Sequence, residues 1–152
     1  MTGPVERLAE LGLALPSIAS PLGAYVPAVR SGSHVYTSGQ LPLVDGKLPA
    51  TGRVGAEVSE VQARELAARC ALNALAAIDA LVGLAAVVRV VKVTGFVASA
   101  PGFTAQPAVL NGASDLLGEV FGEAGRHARS AVGVAELPLG APVEVEVIVE
   151  VT

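Results

Sequence analysis

Tryptophan is absent, and two tyrosines with three phenylalanines leave the chain only 3% aromatic. Proteins that hold single-stranded nucleic acid stack bases on such rings, so a stacking platform is not expected. Excess positive charge is missing as well. Ten lysines and arginines against 14 acids give a formal net charge of −4, which argues against a phosphate backbone as partner. Cysteine occurs once, as Cys70, which excludes an internal disulfide and suits a reducing compartment. Cys70 stands in a helical pattern with Leu66, Ala71 and Ala74 and reads as a buried thiol, since neither His34 nor His127 is placed by sequence to activate it. Two histidines and one cysteine are too few for a protein-built zinc site, so no metal is expected. The longest apolar run, Ala80 to Val88, stops at Arg89, far short of the roughly 20 residues of a membrane span. The N-terminus carries Glu6 and Glu10 where a signal peptide has a basic region. These absences together lead to the expectation of a soluble, cytoplasmic protein without a membrane partner.

What the chain does have is aliphatic bulk. It is 52% hydrophobic, mostly Ala, Val and Leu, a composition suited to helices packed closely on a sheet. At 152 residues it fits a single domain, read as an added N-terminal helix within 1–16 and a core over 17–152. Pro4 to Leu11 is the added helix, with Gly12 as its stop. A loop from Ser17 to Gly23 precedes a hairpin of Tyr25 to Val29 and His34 to Gln40, turning at Arg30 to Ser33. Asp45-Gly46 marks a turn, and the Gly-rich stretch Pro49 to Val58 reads as a surface excursion. Ser59 with Gln62 three residues later is a capping box, opening a long helix that runs to Val82 and ends at Gly83. Its core stripe is Ala71, Leu75, Ile78 and Val82. The Val-rich stretch Ala85 to Val97 is expected to be a strand buried on both faces, with a bulge at Gly95. Gln106 to Phe121 reads as a second helix on which Asn111 and Asp115 share a face, solvated or capping on pattern alone.

The final quarter carries the clearest alternation. In Val143 to Val151 the valines at odd positions share one face, while Glu144, Glu146 and Glu150 share the other. Leu137-Pro138-Leu139-Gly140-Ala141-Pro142 favours an antiparallel return of this strand on the one that begins near Arg129. Such a hairpin would turn Arg129 and Glu144 toward one space, where an arginine and a carboxylate can bind an acid and move a proton. The order strand, strand, helix, strand, helix, strand, strand gives an α+β domain, a mixed sheet with two helices on one face. Apolar residues left on the other face predict self-association.

Four blocks in this order resemble the RidA family, also called YjgF or L-PSP: Pro21-Leu22-Gly23-Ala24-Tyr25-Val26, Tyr36-Thr37-Ser38-Gly39-Gln40-Leu41-Pro42, Ala128-Arg129-Ser130-Ala131-Val132 with Leu137-Pro138, and Val143-Glu144-Val145-Glu146. The resemblance implies a chorismate-mutase-like fold that forms homotrimers with clefts between subunits. It implies hydrolysis of reactive enamines and imines such as 2-aminoacrylate to 2-oxo acids and ammonia, without a cofactor. Arg129 would hold the substrate carboxylate in a two-pronged hydrogen bond, and Glu144 would position or activate water. Tyr25, Ser38 and Gly39 match cleft-lining positions and Asn111 matches the family's helix asparagine, which implies Tyr25 as a catalytic residue beside Arg129 and Glu144, and Ser38, Gly39, Asn111 and Ala131 as substrate-binding positions. Ala131 stands where relatives carry a reactive cysteine, so chemistry that needs that thiol is not expected. The ligand would be a small 2-imino or 2-oxo acid. Two other readings stay open: a non-catalytic trimer that binds a small acid or serves regulation, and, less favoured, the endoribonuclease activity ascribed to some L-PSP relatives. Acidity and scarce aromatics count against nucleic acid as a partner.

Overall fold

Ser59 accepts a hydrogen bond from the Gln62 N–H at 3.1 Å, and from that cap the chain runs as one helix, Glu60–Val82, before Gly83 stops it with a positive φ of 80°. Ala71, Leu75 and Ile78 are fully buried along it. In the computed structural model, which describes residues 2–18 and 23–152, this helix is α2. It is preceded by α1 (Pro4–Glu10), β1 (Ala28–Ser31) and β2 (His34–Thr37). It is followed by β3 (Val87–Ala98), α3 (Gln106–Phe121), β4 (Ala128–Val134) and β5 (Val143–Val151). The architecture is the expected α+β one, with a five-stranded mixed sheet in the order β1-β2-β5-β3-β4. Pro21 and Leu22, which open the first block of the resemblance, and Ala19 to Leu22 of the expected loop lie outside the described residues. Among those described, no helix is long and apolar enough to cross a membrane.

The expected hairpin between the last two strands is not formed. β4 pairs with β3 in parallel, β5 pairs with β3 antiparallel on its other side, and the two never meet. The physical reason lies in the preceding crossover. β3, α3 and β4 form a βαβ unit, which sets β4 parallel beside β3. The connection over 135–142 then has to step across β3, two strand spacings or roughly 10 Å. Pro138–Gly140 forms a short 3-10 turn in that step, and Ala98 N–H donates to Pro142 O at 2.9 Å as β5 begins.

β3 is buried on one face, not on both. Val90, Val93 and Val97 lie under the helices, while Lys92, Thr94 and Phe96 are only half-buried on the other side. Its register breaks fall between Val87 and Arg89 and between Val90 and Lys92, and pairing is regular through Gly95. The first hairpin is shifted as well: β1 begins at Ala28, three residues later than expected, and Ser31 pairs with His34 across Gly32 and Ser33. The stretch Pro49 to Val58 is more than a surface excursion, because Val54 and Val58 are buried and Val54 bridges Ser99. Gly112, a weak helix former on propensity, is the place where α3 crosses α2: any Cβ there would collide with the Arg64 carbonyl oxygen. An exposed Arg64–Asp115 ion pair at 2.9 Å closes the same crossing, a contribution of well under about 1 kcal/mol for a surface pair.

The helix-free face of the sheet carries Val29, Tyr36, Phe96, Val132 and Ile148 among Lys92, Glu144, Glu146 and Glu150. Val29, Tyr36 and Val132 are more than two-fifths exposed, so this face offers apolar surface for association.

Candidate functional site

Arg129 sits on β4, an edge strand, paired with Val93, which in turn pairs with Val147. Side chains aligned across a sheet share a face, so Arg129 points to the helix-covered side, where α3 lies over it. Its Nη1 donates to Asn111 Oδ1 at 2.8 Å and to Ser114 Oγ at 3.1 Å. Both hydrogens of that nitrogen are thereby used on one helix face, since positions i and i+3 are neighbours. Nε and Nη2, the parallel pair that grips a carboxylate side-on, have no partner among the described residues. The guanidinium borders a cleft of about 290 Å³ lined also by Ser114, Gly118, Gly125, Arg126 and His127.

A second group forms where β2 leaves the sheet. Thr37 Oγ1 accepts from Val147 N–H at 3.0 Å in place of a backbone carbonyl, and the ladder resumes only at the Gln40–Val145 bridge. Between them, Ser38 is fixed by its N–H to Pro27 O at 2.8 Å and its Oγ to Val26 O at 2.6 Å. That holds the segment bearing Tyr25, 58% exposed, against the Ser38-Gly39 exit. Gly39 lies directly on the Glu144 carboxyl, and a Cβ there would stand 2.6 Å from Oε1. Ser38, Gly39 and Glu144 therefore gather where β2 diverges from β5, with the segment that follows Tyr25 held beside Ser38.

The two groups are not brought together within the chain. Glu144 aligns with Phe96 and Val132 and points to the helix-free face. Arg129 is two strands away on the opposite face, so no direct pairing of the two exists. Ala131 aligns with Gly95 on the helix side, two residues along β4 from Arg129, and packs against the core as a methyl group without chemistry. Of the pair Asn111 and Asp115, only Asn111 faces Arg129, while Asp115 turns to Arg64.

Two residues that pattern reading passed over belong to the first group. Ser114 holds Arg129, and His127 Nε2 lies 2.9 Å from Ser114 Oγ. The available signals were the i, i+2 spacing of His127 and Arg129, which puts both on one strand face, and the i, i+3 spacing of Asn111 and Ser114 on one helix face.

Burial, and after it the neighbouring Glu146 carboxylate, push the Glu144 carboxyl above the usual glutamate range. A group with a raised folded-state pKa stabilises the fold fully only where it is protonated in both states, and that contribution is lost as pH rises through the folded value. Glu144→Gln is therefore expected to melt above wild type near neutral pH, with the difference shrinking toward zero as pH falls below the ordinary glutamate range. Melting curves from about pH 3 to about pH 8 read this directly, and a pH-independent difference would refute the shift. Cys70 is buried with its Sγ 3.7 Å from Val143 O, and burial with the charge of Glu144 pushes its thiol well up, away from nucleophilic use.

Comparison with known proteins identifies the family. The family "YjgF/chorismate mutase-like, putative endoribonuclease" matches residues 5–151, from within α1 to the end of β5. "Protein TCP17" of Trypanosoma cruzi is 49% identical over 95% of this chain and 91% of its own. A Dermatophagoides farinae protein named 2-iminobutanoate/2-iminopropanoate deaminase is 34% identical over 90% of this chain and 93% of its own. The crystal structure of an Agrobacterium tumefaciens protein of unknown function superposes with a TM-score of 0.89 at 47% identity, covering 97% of this chain and 91% of that one. The chain belongs to the YjgF/chorismate mutase-like family.

Proposed function

We propose that this protein hydrolyses small 2-imino acids, formed from enamines such as 2-aminoacrylate, to 2-oxo acids and ammonia. The observation that carries the reading is the Arg129 guanidinium, anchored through Nη1 to α3 and left with its Nε/Nη2 fork for a carboxylate. Similarity to the mite deaminase adds to it.

The chemistry asks little of the protein. 2-Aminoacrylate tautomerises to 2-iminopropanoate, whose C=N carbon is already electrophilic. Water adds to that carbon of the N-protonated imine, one of its protons going to a carboxylate. The resulting carbinolamine takes that proton on nitrogen, the C–N bond breaks as the hydroxyl proton passes to the carboxylate, and pyruvate and ammonia leave. Glu144 serves both proton steps, and a carboxyl with a raised pKa suits that double duty. Fixing the carboxylate on Arg129 supplies orientation. Tyr25, Ser38 and Gly39 shape the wall beside Glu144.

Because Arg129 and Glu144 face opposite sides of one sheet, the reaction centre is completed by a second copy. The β4 edge of one protomer meets the helix-free face of the next, in a homotrimer with a cleft at each junction. A second reading, binding of small acids without turnover, is favoured by one observation: the carboxylate fork is complete within a single protomer, whereas the proton-transfer group is not. The test is 2-oxo acid formation from 2-aminoacrylate generated in place by a serine dehydratase. Faster release than the spontaneous rate supports the deaminase. Binding of pyruvate, seen as a rise in Tm, without faster release supports the second reading.

A further inference from the structure

We infer that His127, acting through Ser114, is a positioning residue that sets the orientation of the Arg129 fork; this rests on the reading of Arg129 as the carboxylate anchor. The argument follows the protons. His127 Nδ1 lies 2.6 Å from Gly125 O. A carbonyl only accepts, so Nδ1 carries the hydrogen, and in the neutral ring Nε2 offers a lone pair. Ser114 Oγ, 2.9 Å from Nε2, must then donate its hydroxyl proton to the ring. That leaves the hydroxyl oxygen as an acceptor, and Arg129 Nη1 donates to it at 3.1 Å. Every link has one polarity, and the chain ends by telling the guanidinium which way to face.

Its origin is equally well fixed. Gly125 closes the 3-10 turn Gly122–Gly125 that links α3 to β4. The residue is buried against Leu117 of α3, with no room for a side chain beside that residue's carbonyl oxygen. A loop of hydrogen bonds thus runs from the end of α3 through His127 to the middle of α3 and on to β4. Asn111 holds the other Nη1 hydrogen but leaves the guanidinium free to pivot about that single contact. Ser114 is the second point that stops the pivot.

A serine beside an imidazole also has the form of a nucleophile and its base. The geometry points away from that use. Arg129 donates to Ser114 Oγ and so draws electron density from the atom that would attack, and His127 Nδ1 faces a neutral carbonyl instead of a carboxylate that would support an imidazolium.

The variants that test the relay are Ser114→Ala, His127→Leu, His127→Gln and the Ser114→Ala/His127→Leu pair. Ser114→Ala and His127→Leu are expected to raise KM for 2-aminoacrylate about tenfold with kcat within about twofold, and the pair to be no worse than Ser114→Ala alone. His127→Gln, whose amide oxygen can accept from Ser114, should recover most of the loss. A purely structural role would lower Tm and the active fraction without this KM-against-kcat split. Nitrogen-15 NMR gives a readout that needs no substrate: the Nδ1–H tautomer of His127 in wild type, and slow rotation of the Arg129 guanidinium that speeds up in His127→Leu. An unchanged KM, independent effects in the pair, unchanged guanidinium rotation, or labelling of Ser114 by a serine-directed fluorophosphonate would each overturn the inference. A protein that fails to hydrolyse 2-aminoacrylate yet loses slow rotation in His127→Leu refutes the deaminase reading and supports the relay.

Discussion

Replacing Arg129 with alanine is expected to lower kcat/KM for 2-aminoacrylate by about a thousandfold. A guanidinium fork on a carboxylate makes two charge-assisted hydrogen bonds, each worth about 1.5–3 kcal/mol, and tenfold in rate corresponds to about 1.4 kcal/mol. The range this spans is about a hundredfold to ten-thousandfold, centred near the stated loss. The fold should survive, because Asn111 and Ser114 are only partly buried and find water when the guanidinium is gone. Arg129→Lys is expected to recover no more than about tenfold of the loss, since an ammonium keeps the charge but not the planar pair of donors. Steady-state rates of pyruvate formation with wild type and both variants decide it. An alanine variant within about threefold of wild type would remove Arg129 from the reaction while leaving the family and fold untouched.

The readable parts of this chain were those governed by local period and punctuation. α2 was legible because cap, stripe and stop agree: Ser59 takes the Gln62 N–H, Ala71, Leu75 and Ile78 are buried, and Gly83 turns the chain away. The two faces of β5 were legible because valine and glutamate alternate without a slip. Strand neighbours were not, because pairing is a long-range property and the Pro/Gly segment 137–142 serves a hairpin or a step across a strand equally well. Once β3 lies between β4 and β5, the parity of every β4 residue relative to β5 is decided by β3. Arg129 then falls with Val147 and not with Glu144. The partners of Arg129 were hidden for the same reason. Asn111 and Ser114 are unremarkable polar residues on a helix until the βαβ crossover lays that helix over β4. Glu144 was recognisable as a candidate from the alternation and the family pattern, but its raised pKa depends on Gly39 passing over it and on burial that no pattern records.

Mixing two inactive variants should restore activity, and this follows from the same parity. If each cleft takes Arg129 from one protomer and Glu144 from the next, Arg129→Ala spoils one side of every cleft and Glu144→Ala the other. In a randomly mixed ring of equal parts, a cleft is whole when its arginine comes from the Glu144→Ala chain and its glutamate from the Arg129→Ala chain. Each condition holds half the time, so about a quarter of the clefts work and the mixture should show about a quarter of wild-type specific activity. Either variant alone, assembled with itself, should stay at its own low rate at any concentration. Co-refolding from denaturant, with mass spectrometry to confirm mixed oligomers, is the measurement. A site contained in one protomer would gain nothing from mixing, because every chain present lacks one of the two groups. Mixed oligomers without recovered activity would therefore sink the shared cleft, while recovery near one quarter would fix which edge and which face of the sheet meet, since only the β4 edge carries Arg129 and only the helix-free face carries Glu144.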